Sequence, residues 1–428
     1  MKSESDWLEL SRRHVWHPYT QMKTAPPPIP VARAEGVYIE TPDGRRILDG
    51  ISSWWVNVHG HSHPRMNRAL AEQAAKLEQV IFAGFTHEPA ARLAAELCGR
   101  APGELPRVFF SDDGSTAVEV ALKMAYQAWL HRGQPERRLF VALDEAYHGD
   151  TFGTMATGGV SAFHQAFSSF FFEVRRVCTP WSATQPEHGP ELEEVLEKEG
   201  ERVAAVIIEP MLQGAAGMLV QPPEYMRQIR ELTRQHGIPL IADEIFTGFG
   251  RTGKMWACEH AGVEPDLLCL SKALTGGYLP MSVTLATESL YEAFLSDDRS
   301  KTFFHGHSYT ANALACAVAL ETLQVFEDEG ILERIGGIES RFKQQVQRFA
   351  DHPRVESTRV LGDMAALELR GEGGYLNDVA PRLHAQFLER DVLLRPLGNV
   401  LYFLPPYVIT DDEIDRVFDT IDEVLALG

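Results

Sequence analysis

Ile238-Pro-Leu-Ile-Ala-Asp243-Glu244-Ile-Phe-Thr-Gly248-Phe-Gly-Arg-Thr-Gly253 and, further on, Asp266-Leu-Leu-Cys-Leu-Ser-Lys272 decide how this chain is read. Each contains a short apolar run that ends in a charged residue, a carboxylate on the first and an amine on the second. Near-continuous apolar runs suit strands buried on both faces. A charge at the end of such a strand costs on the order of several kcal/mol unless something pairs with it. A glycine-rich turn follows Asp243, and Thr275-Gly276-Gly277 follows Lys272. One cofactor supplies both partners: the aldehyde of pyridoxal phosphate condenses with an amine, and its pyridine nitrogen stays protonated beside a carboxylate.

Outward from these segments, the middle of the chain alternates apolar runs with helical patterns, as a layered βα sheet does. Seven strands are predicted, near 107–110, 139–143, 173–177, 203–208, 239–242, 267–270 and 281–286. Ligands on such sheets sit at the carboxyl ends of the strands, where Asp243 and Lys272 fall. Residues 36–50 read as a hairpin around Pro42-Asp-Gly44. Residues 24–30, with four prolines, read as a stiff surface segment. After about 320 a long helix leads into an α+β tail. No repeats or low-complexity tracts are present.

Arg107-Val-Phe-Phe-Ser111 turns through Asp112-Asp113-Gly114-Ser115 into a helix whose apolar stripe is Val118, Leu122, Ala125 and Trp129. Gly114 and Ser115 at a helix start offer free N–H groups and a hydroxyl to a phosphate. A plain serine cap would look the same in isolation; its place at a strand end of the same sheet favours the phosphate. Asp112 and Asp113 must then point away from a dianion.

The string Ala-Asp243-Glu-Ile, Gly248-Phe, Arg251-Thr-Gly and Asp266-Leu-Leu-x-x-Ser-Lys272 resembles the signature of the class III aminotransferases. The spacing agrees, at 272 − 243 = 29 residues. The resemblance runs from about Arg13 to Tyr407. It implies an α/β fold of the aspartate-aminotransferase type, with a seven-stranded mostly parallel sheet in a large domain at 61–324. A small α+β domain is built from both termini, 1–60 plus 325–428. It implies pyridoxal 5'-phosphate as cofactor, with Lys272 and Asp243 catalytic. In that family Gly114 and Ser115 bind the phosphate and Tyr147, in Tyr147-His-Gly-Asp150, stacks on the ring. Glu209-Pro210 and Gln213 match another strand-end element near the cofactor. The segment Phe304-His-Gly306-His307-Ser308 resembles one that crosses a dimer to the partner's phosphate, so a homodimer with shared sites is expected. The common residue there is threonine; Ser308 keeps the hydroxyl.

Two further stretches, His14-Val-Trp-His-Pro-Tyr19-Thr-Gln-Met22 and Ser52-Ser-Trp54-Trp55, resemble the branch of the family that aminates 8-amino-7-oxononanoate in biotin synthesis. That substrate is a long apolar chain with a carboxylate at one end and a ketone at the other. Tyr19, Trp54 and Trp55 would supply an aromatic wall, and Arg395 matches the family's carboxylate-binding arginine. Tyr147, Tyr402, Gly306 and Arg251 complete the substrate-side candidates. Core packing is the plainer reading of the two tryptophans. The resemblance implies a ping-pong reaction in which Lys272 moves the proton. The donor is either S-adenosylmethionine or lysine. Tyr19 and Trp54 match the adenosylmethionine users. Gln21-Met-Lys, Val56-Asn-Val-His-Gly-His61 and His305-Gly-His-Ser-Tyr-Thr310 look like the lysine users. The balance favours adenosylmethionine.

Bulk properties narrow the alternatives. With 428 residues, 44% hydrophobic and 23% charged, the chain has the profile of a soluble globular protein of more than one domain. A formal net charge of −20 disfavours nucleic acid or anionic membrane as a partner. The cysteines (98, 178, 258, 269 and 316) form no CxxC pair and read as reduced core thiols. No signal-like apolar region begins the chain and no apolar run approaches the ~18 residues of a membrane span, so a cytoplasmic enzyme is expected. Gly248-Phe-Gly250-Arg-Thr-Gly253 spells GxGxxG, which makes an NAD-dependent dehydrogenase the rival enzyme. A lone match is weak, and no long amphipathic helix begins on it. His59, His61 and His63 alternate as metal ligands would, yet a turn into a helix at Pro64 accounts for them, and no metal is expected. A non-catalytic binding protein on the same fold would be marked by loss of Lys272.

Overall fold

The computed structural model describes residues 4–184, 188–371 and 374–427. Residues 1–3 and 428, at the two ends of the expected small domain, lie outside the described residues. All seven predicted strands form, and they make one sheet. Its order in space is Arg107–Ser111, Ser282–Ala286, Leu267–Leu270, Leu240–Asp243, Val203–Ile208, Leu139–Leu143, Val174–Val177. Ser282–Ala286 runs antiparallel to both neighbours, and the other neighbouring pairs are parallel. The inner strands are buried along their whole length, which is why their sequences are apolar without alternation. Register sets Asp243 opposite Cys269, so the chain leaves both strands at the same edge of the sheet.

Helix Gly114–His131 packs across the sheet with Val118, Leu122, Ala125 and Trp129 buried, as the stripe predicts. The hairpin also forms, Tyr38–Glu40 against Arg46–Asp49, with Gly44 donating to the Thr41 carbonyl at the turn. Val392–Leu393 joins Arg46–Asp49 in parallel, so the two ends of the chain share a sheet. A separate antiparallel sheet holds Val355–Leu361, Met364–Leu369 and Val400–Phe403. The long helix expected after about 320 is two helices, Ala313–Asp328 and Ile331–Val346. Gly330 between them sits at φ +59°, where a helix cannot continue. Residues 24–30 carry no regular structure. Among the described residues, no helix is long and apolar enough to cross a membrane.

Candidate active site

At the end of Leu267–Leu270 the chain enters a tight turn, and Lys272 takes a left-handed backbone, φ +46°. The residue is half-buried, with its amine enclosed by aromatic rings. The ammonium stands 4.7 Å from the Trp55 ring centroid and 5.3 Å from that of Phe246. Among the described residues it has no hydrogen-bond or ion-pair partner. Burial lowers its pKa to about 8, against the opposing pull of the Asp243 and Glu209 charges.

Asp243, 4% exposed, is held by its neighbours. The Ile245 amide donates to one carboxylate oxygen at 3.1 Å, and His148 Nδ1 lies 2.7 Å from the other. His148 is buried, and its Nε2 has no partner among the described residues. The motif Tyr147-His-Gly-Asp150 therefore contributes more than Tyr147, although only its aromatic carries an obvious signal in sequence. Glu209 accepts from the amides of Tyr147 (2.9 Å) and Gly214 (3.2 Å), which fixes the loop carrying Tyr147. Burial raises its pKa to about 7. Glu244 is also raised to about 7 by burial, and it accepts from the Ala257 and Cys258 amides on the far side of the strand end.

The turn at Gly114 and Ser115 accounts for both aspartates. Asp113 is the N-cap of the helix and accepts from the Thr116 amide at 3.0 Å, while Asp112 accepts from the Thr116 hydroxyl at 2.9 Å. Both carboxylates are turned to the first helical turn. Ser115 Oγ accepts from the Asp150 amide at 3.2 Å. The turn is closely fitted: a Cβ on Gly149 would lie 2.0 Å from Ser115 Oγ, and one on Gly114 would lie 2.8 Å from Ile245.

An aromatic wall extends from Lys272. Trp55 packs at 4.4 Å on Phe246 and donates its indole N–H to the Tyr402 hydroxyl at 3.1 Å. Trp54, 38% exposed, meets Tyr19 edge-on at 5.4 Å, and the Arg395 guanidinium lies 4.8 Å over its ring. Arg395 has no hydrogen bond or ion pair among the described residues. Tyr19 donates to Asp150 at 2.6 Å and lies 3.2 Å from the Tyr147 hydroxyl. Burial raises both phenols well above the usual tyrosine range. Residues from three distant parts of the sequence thus meet on one face.

Other candidates stand apart. Arg251 is fully buried and ion-paired with Asp363, and it donates to the carbonyls of Pro405 and Trp55 (3.2 Å each) and Asn57 (3.4 Å). The guanidinium of this substrate-side candidate is thus committed to partners within the chain. Gly306 and Ser308 are exposed, and His307 Nε2 lies 4.0 Å from Asp112, beside the phosphate turn. Among the described residues, this loop makes no hydrogen bond or ion pair with Lys272. Of the three alternating histidines, His59 and His63 stay close, with ring centroids 6.1 Å apart, while His61 turns to Asp49; His59 also packs on Phe326 and His63 approaches Glu329 at 3.3 Å. Glycines 248–253 form turns, with no long helix on them. All five cysteines are free.

Residues 19–425 match the family described as Aminotransferase class-III. The chain belongs to the class III aminotransferases. Relatives at high coverage include the adenosylmethionine-8-amino-7-oxononanoate aminotransferase of Synechococcus elongatus, 47% identical over 97% of this chain and 99% of that protein. The protein of the same name from Aquifex aeolicus is 41% identical over 96% and 95%. Among solved structures, the adenosylmethionine-8-amino-7-oxononanoate aminotransferase of Methanocaldococcus jannaschii superposes with TM-score 0.95 at 35% identity, over 100% of both chains. A PLP-bound amine transaminase from an uncultivated Pseudomonas species superposes at 0.90 and 33% identity, over 96% and 98%. The cofactor of this aminotransferase is pyridoxal 5'-phosphate. Its residues fit that group. A buried amine lacks a partner, a buried carboxylate stands at the neighbouring strand end, and a glycine-serine helix start faces Tyr147's loop.

Proposed function

We propose that this aminotransferase converts 8-amino-7-oxononanoate to 7,8-diaminononanoate, a step of biotin synthesis, with S-adenosylmethionine as amino donor. The observation that carries the reading is the unpaired Lys272 amine facing an aromatic wall that ends in the unpaired Arg395 guanidinium. One end of that arrangement suits a reacting carbonyl and the other a distant carboxylate, with apolar surface between. The names of the relatives at 41% and 47% identity support the substrate pair. Lysine is the alternative donor, since His59-Gly-His61 and His305-Gly-His307 resemble the lysine-using branch. The exposed Tyr19–Trp54 pair favours adenosylmethionine.

Pyridoxal phosphate, when bound, stores the amino group between two half-reactions and accepts electron density from the substrate carbon. Lys272 Nζ would hold the cofactor through its aldehyde carbon and, when free, would carry a proton from the donor α carbon to that cofactor carbon, the transfer running in reverse in the second half-reaction. Asp243 presents negative charge to the ring nitrogen, oriented by His148 and the Ile245 amide. Gly114 and Ser115 would bind the phosphate at the helix start beside the Asp113 cap, and Tyr147 would cover the ring. Arg395 leaves Trp54 to bind the substrate carboxylate, while Tyr402 steadies Trp55. Arg251 contributes only indirectly, through the carbonyls of Trp55 and Asn57. Gly306, His307 and Ser308 serve the partner subunit of a cytoplasmic homodimer. The exposure of Phe304 (76%), Tyr309 (65%) and Phe85 (61%) supports an interface there. Residues 1–60 with 325–428 form one domain and 61–324 the other, a division supported by the shared sheet of the two chain ends.

Lys272→Ala is the direct test. The variant should fold, retain cofactor poorly and lose about three or more orders of magnitude in turnover. A rate near that of the parent protein would remove Lys272 from the mechanism.

A further inference from the structure

Ser52, Ser53, Trp54 and Trp55 all have positive φ, at 49°, 47°, 72° and 72°. None is glycine. They form one turn of left-handed helix, closed by Trp55 N–H to the Ile51 carbonyl (2.8 Å) and Val56 N–H to the Ser52 carbonyl (3.0 Å). L-residues visit this conformation singly and seldom in succession, and such strain persists only where the surroundings over-determine it. Here the strained turn carries the two tryptophans of the aromatic wall.

What over-determines it is a buried carboxylate. Asp49 has a fully buried side chain. Its Oδ1 accepts from the amides of Ser53 (3.0 Å) and Ile51 (3.3 Å), and its Oδ2 accepts from the Ser53 hydroxyl (2.7 Å). His61 Nε2 lies 2.9 Å from the same Oδ2. The Asn57 amide nitrogen is 3.2 Å from His61 Nδ1 and can only donate, so the ring proton is assigned to Nε2, which donates to Asp49. Both anchors are themselves fixed. The Asp49 amide donates to Val37, and His61 exchanges two backbone hydrogen bonds with Gly36 (3.1 and 2.7 Å).

We infer that Asp49 and His61 are positioning residues: together they latch the left-handed turn and so set Trp54 and Trp55 for the substrate. The middle histidine of His59-Gly-His61-Ser-His63 thereby has its use, and neither residue touches the reacting atoms. The substrate half of this inference rests on the proposed function; the latch itself does not.

The test compares the holoenzymes of His61→Leu and His61→Gln with the parent protein. Leucine keeps bulk without a donor, whereas glutamine restores an N–H within reach of Asp49. In His61→Leu the near-ultraviolet circular dichroism of the tryptophans should change. KM for 8-amino-7-oxononanoate should rise about tenfold with kcat and cofactor content little altered, because misplacing a binding wall costs ground-state and transition-state binding alike. His61→Gln should recover most of both. Unchanged dichroism and unchanged KM in His61→Leu would overturn the latch, as would a glutamine variant no better than leucine. A changed dichroism with unchanged KM would keep the latch and overturn the substrate role of the tryptophans. A parent protein inactive on this keto acid would sink the proposed function, and the dichroism would still decide the latch. If His61→Leu does not fold, Ser53→Ala removes one bond to Asp49 with little loss of packing. It should shift dichroism and KM the same way by a smaller factor, and no shift would overturn the inference.

Discussion

Lys272 is kept reactive by what surrounds it. Burial among Trp55 and Phe246 favours the neutral amine, and the Asp243 and Glu209 carboxylates oppose that without contacting it. The neutral form is the nucleophile, so loading of the cofactor-free protein must follow its titration. The rate at which visible absorbance appears on adding pyridoxal phosphate should rise with pH and level off above about 8. A rise centred near 10 would mean that the amine is solvated as in an unfolded chain. The sign for stability agrees. Because the folded pKa is depressed, the unfolded chain binds more protons between about pH 8 and the ordinary lysine value. The cofactor-free fold therefore gains from Lys272 as pH climbs through that window. At this scale the sequence carries a large share of the site, because a charge at the end of a buried strand is visible without coordinates. Arg251 is the counter-example. Its partner Asp363 lies 112 residues away in the chain, and no local pattern announces that pair.

Among the elements, the helix starting at Gly114 links stability to function. Asp113 caps it in a reciprocal box with Thr116, which commits the carboxylate to the Thr116 amide. Asp113→Ala should cost about 1 kcal/mol, the usual value of a lost N-cap, and lower the unfolding midpoint by a few degrees at most. Thermal unfolding of the cofactor-free protein checks this, and an unchanged midpoint would show that the cap contributes nothing. The seven strands are legible because burial on both faces demands unbroken apolar runs. The turn at Ser52–Trp55 is not, since nothing in Ser-Ser-Trp-Trp marks four left-handed residues. At roughly 1–2 kcal/mol per residue, local preference opposes the turn, and it is held by bonds to Asp49, four residues before Ser53, and to the distant Leu404 and Tyr402. The break at Gly330 is of the local kind and could be read from a glycine between two helical patterns.

On the scale of the whole molecule, both chain ends meet in one small sheet, and the wall of the site draws on Tyr19, Trp54 and Trp55 from the first and Arg395 and Tyr402 from the last. A gap remains within one chain: the exposed loop at Gly306–Ser308 makes no hydrogen bond or ion pair with its own Lys272 among the described residues. The proposed homodimer closes that gap with the partner's loop. Sedimentation at assay concentrations should give a dimer, and dilution to monomer should abolish turnover; a fully active monomer would contradict shared sites. The central claim is an aminotransferase that takes its amino group from S-adenosylmethionine, and a single spectrum addresses it. Adding S-adenosylmethionine alone to the purified holoenzyme should bleach the visible band of the bound cofactor, with the keto acid restoring it. A band that survives S-adenosylmethionine and yields to lysine would contradict the donor assignment, and one that survives both would contradict the account as a whole.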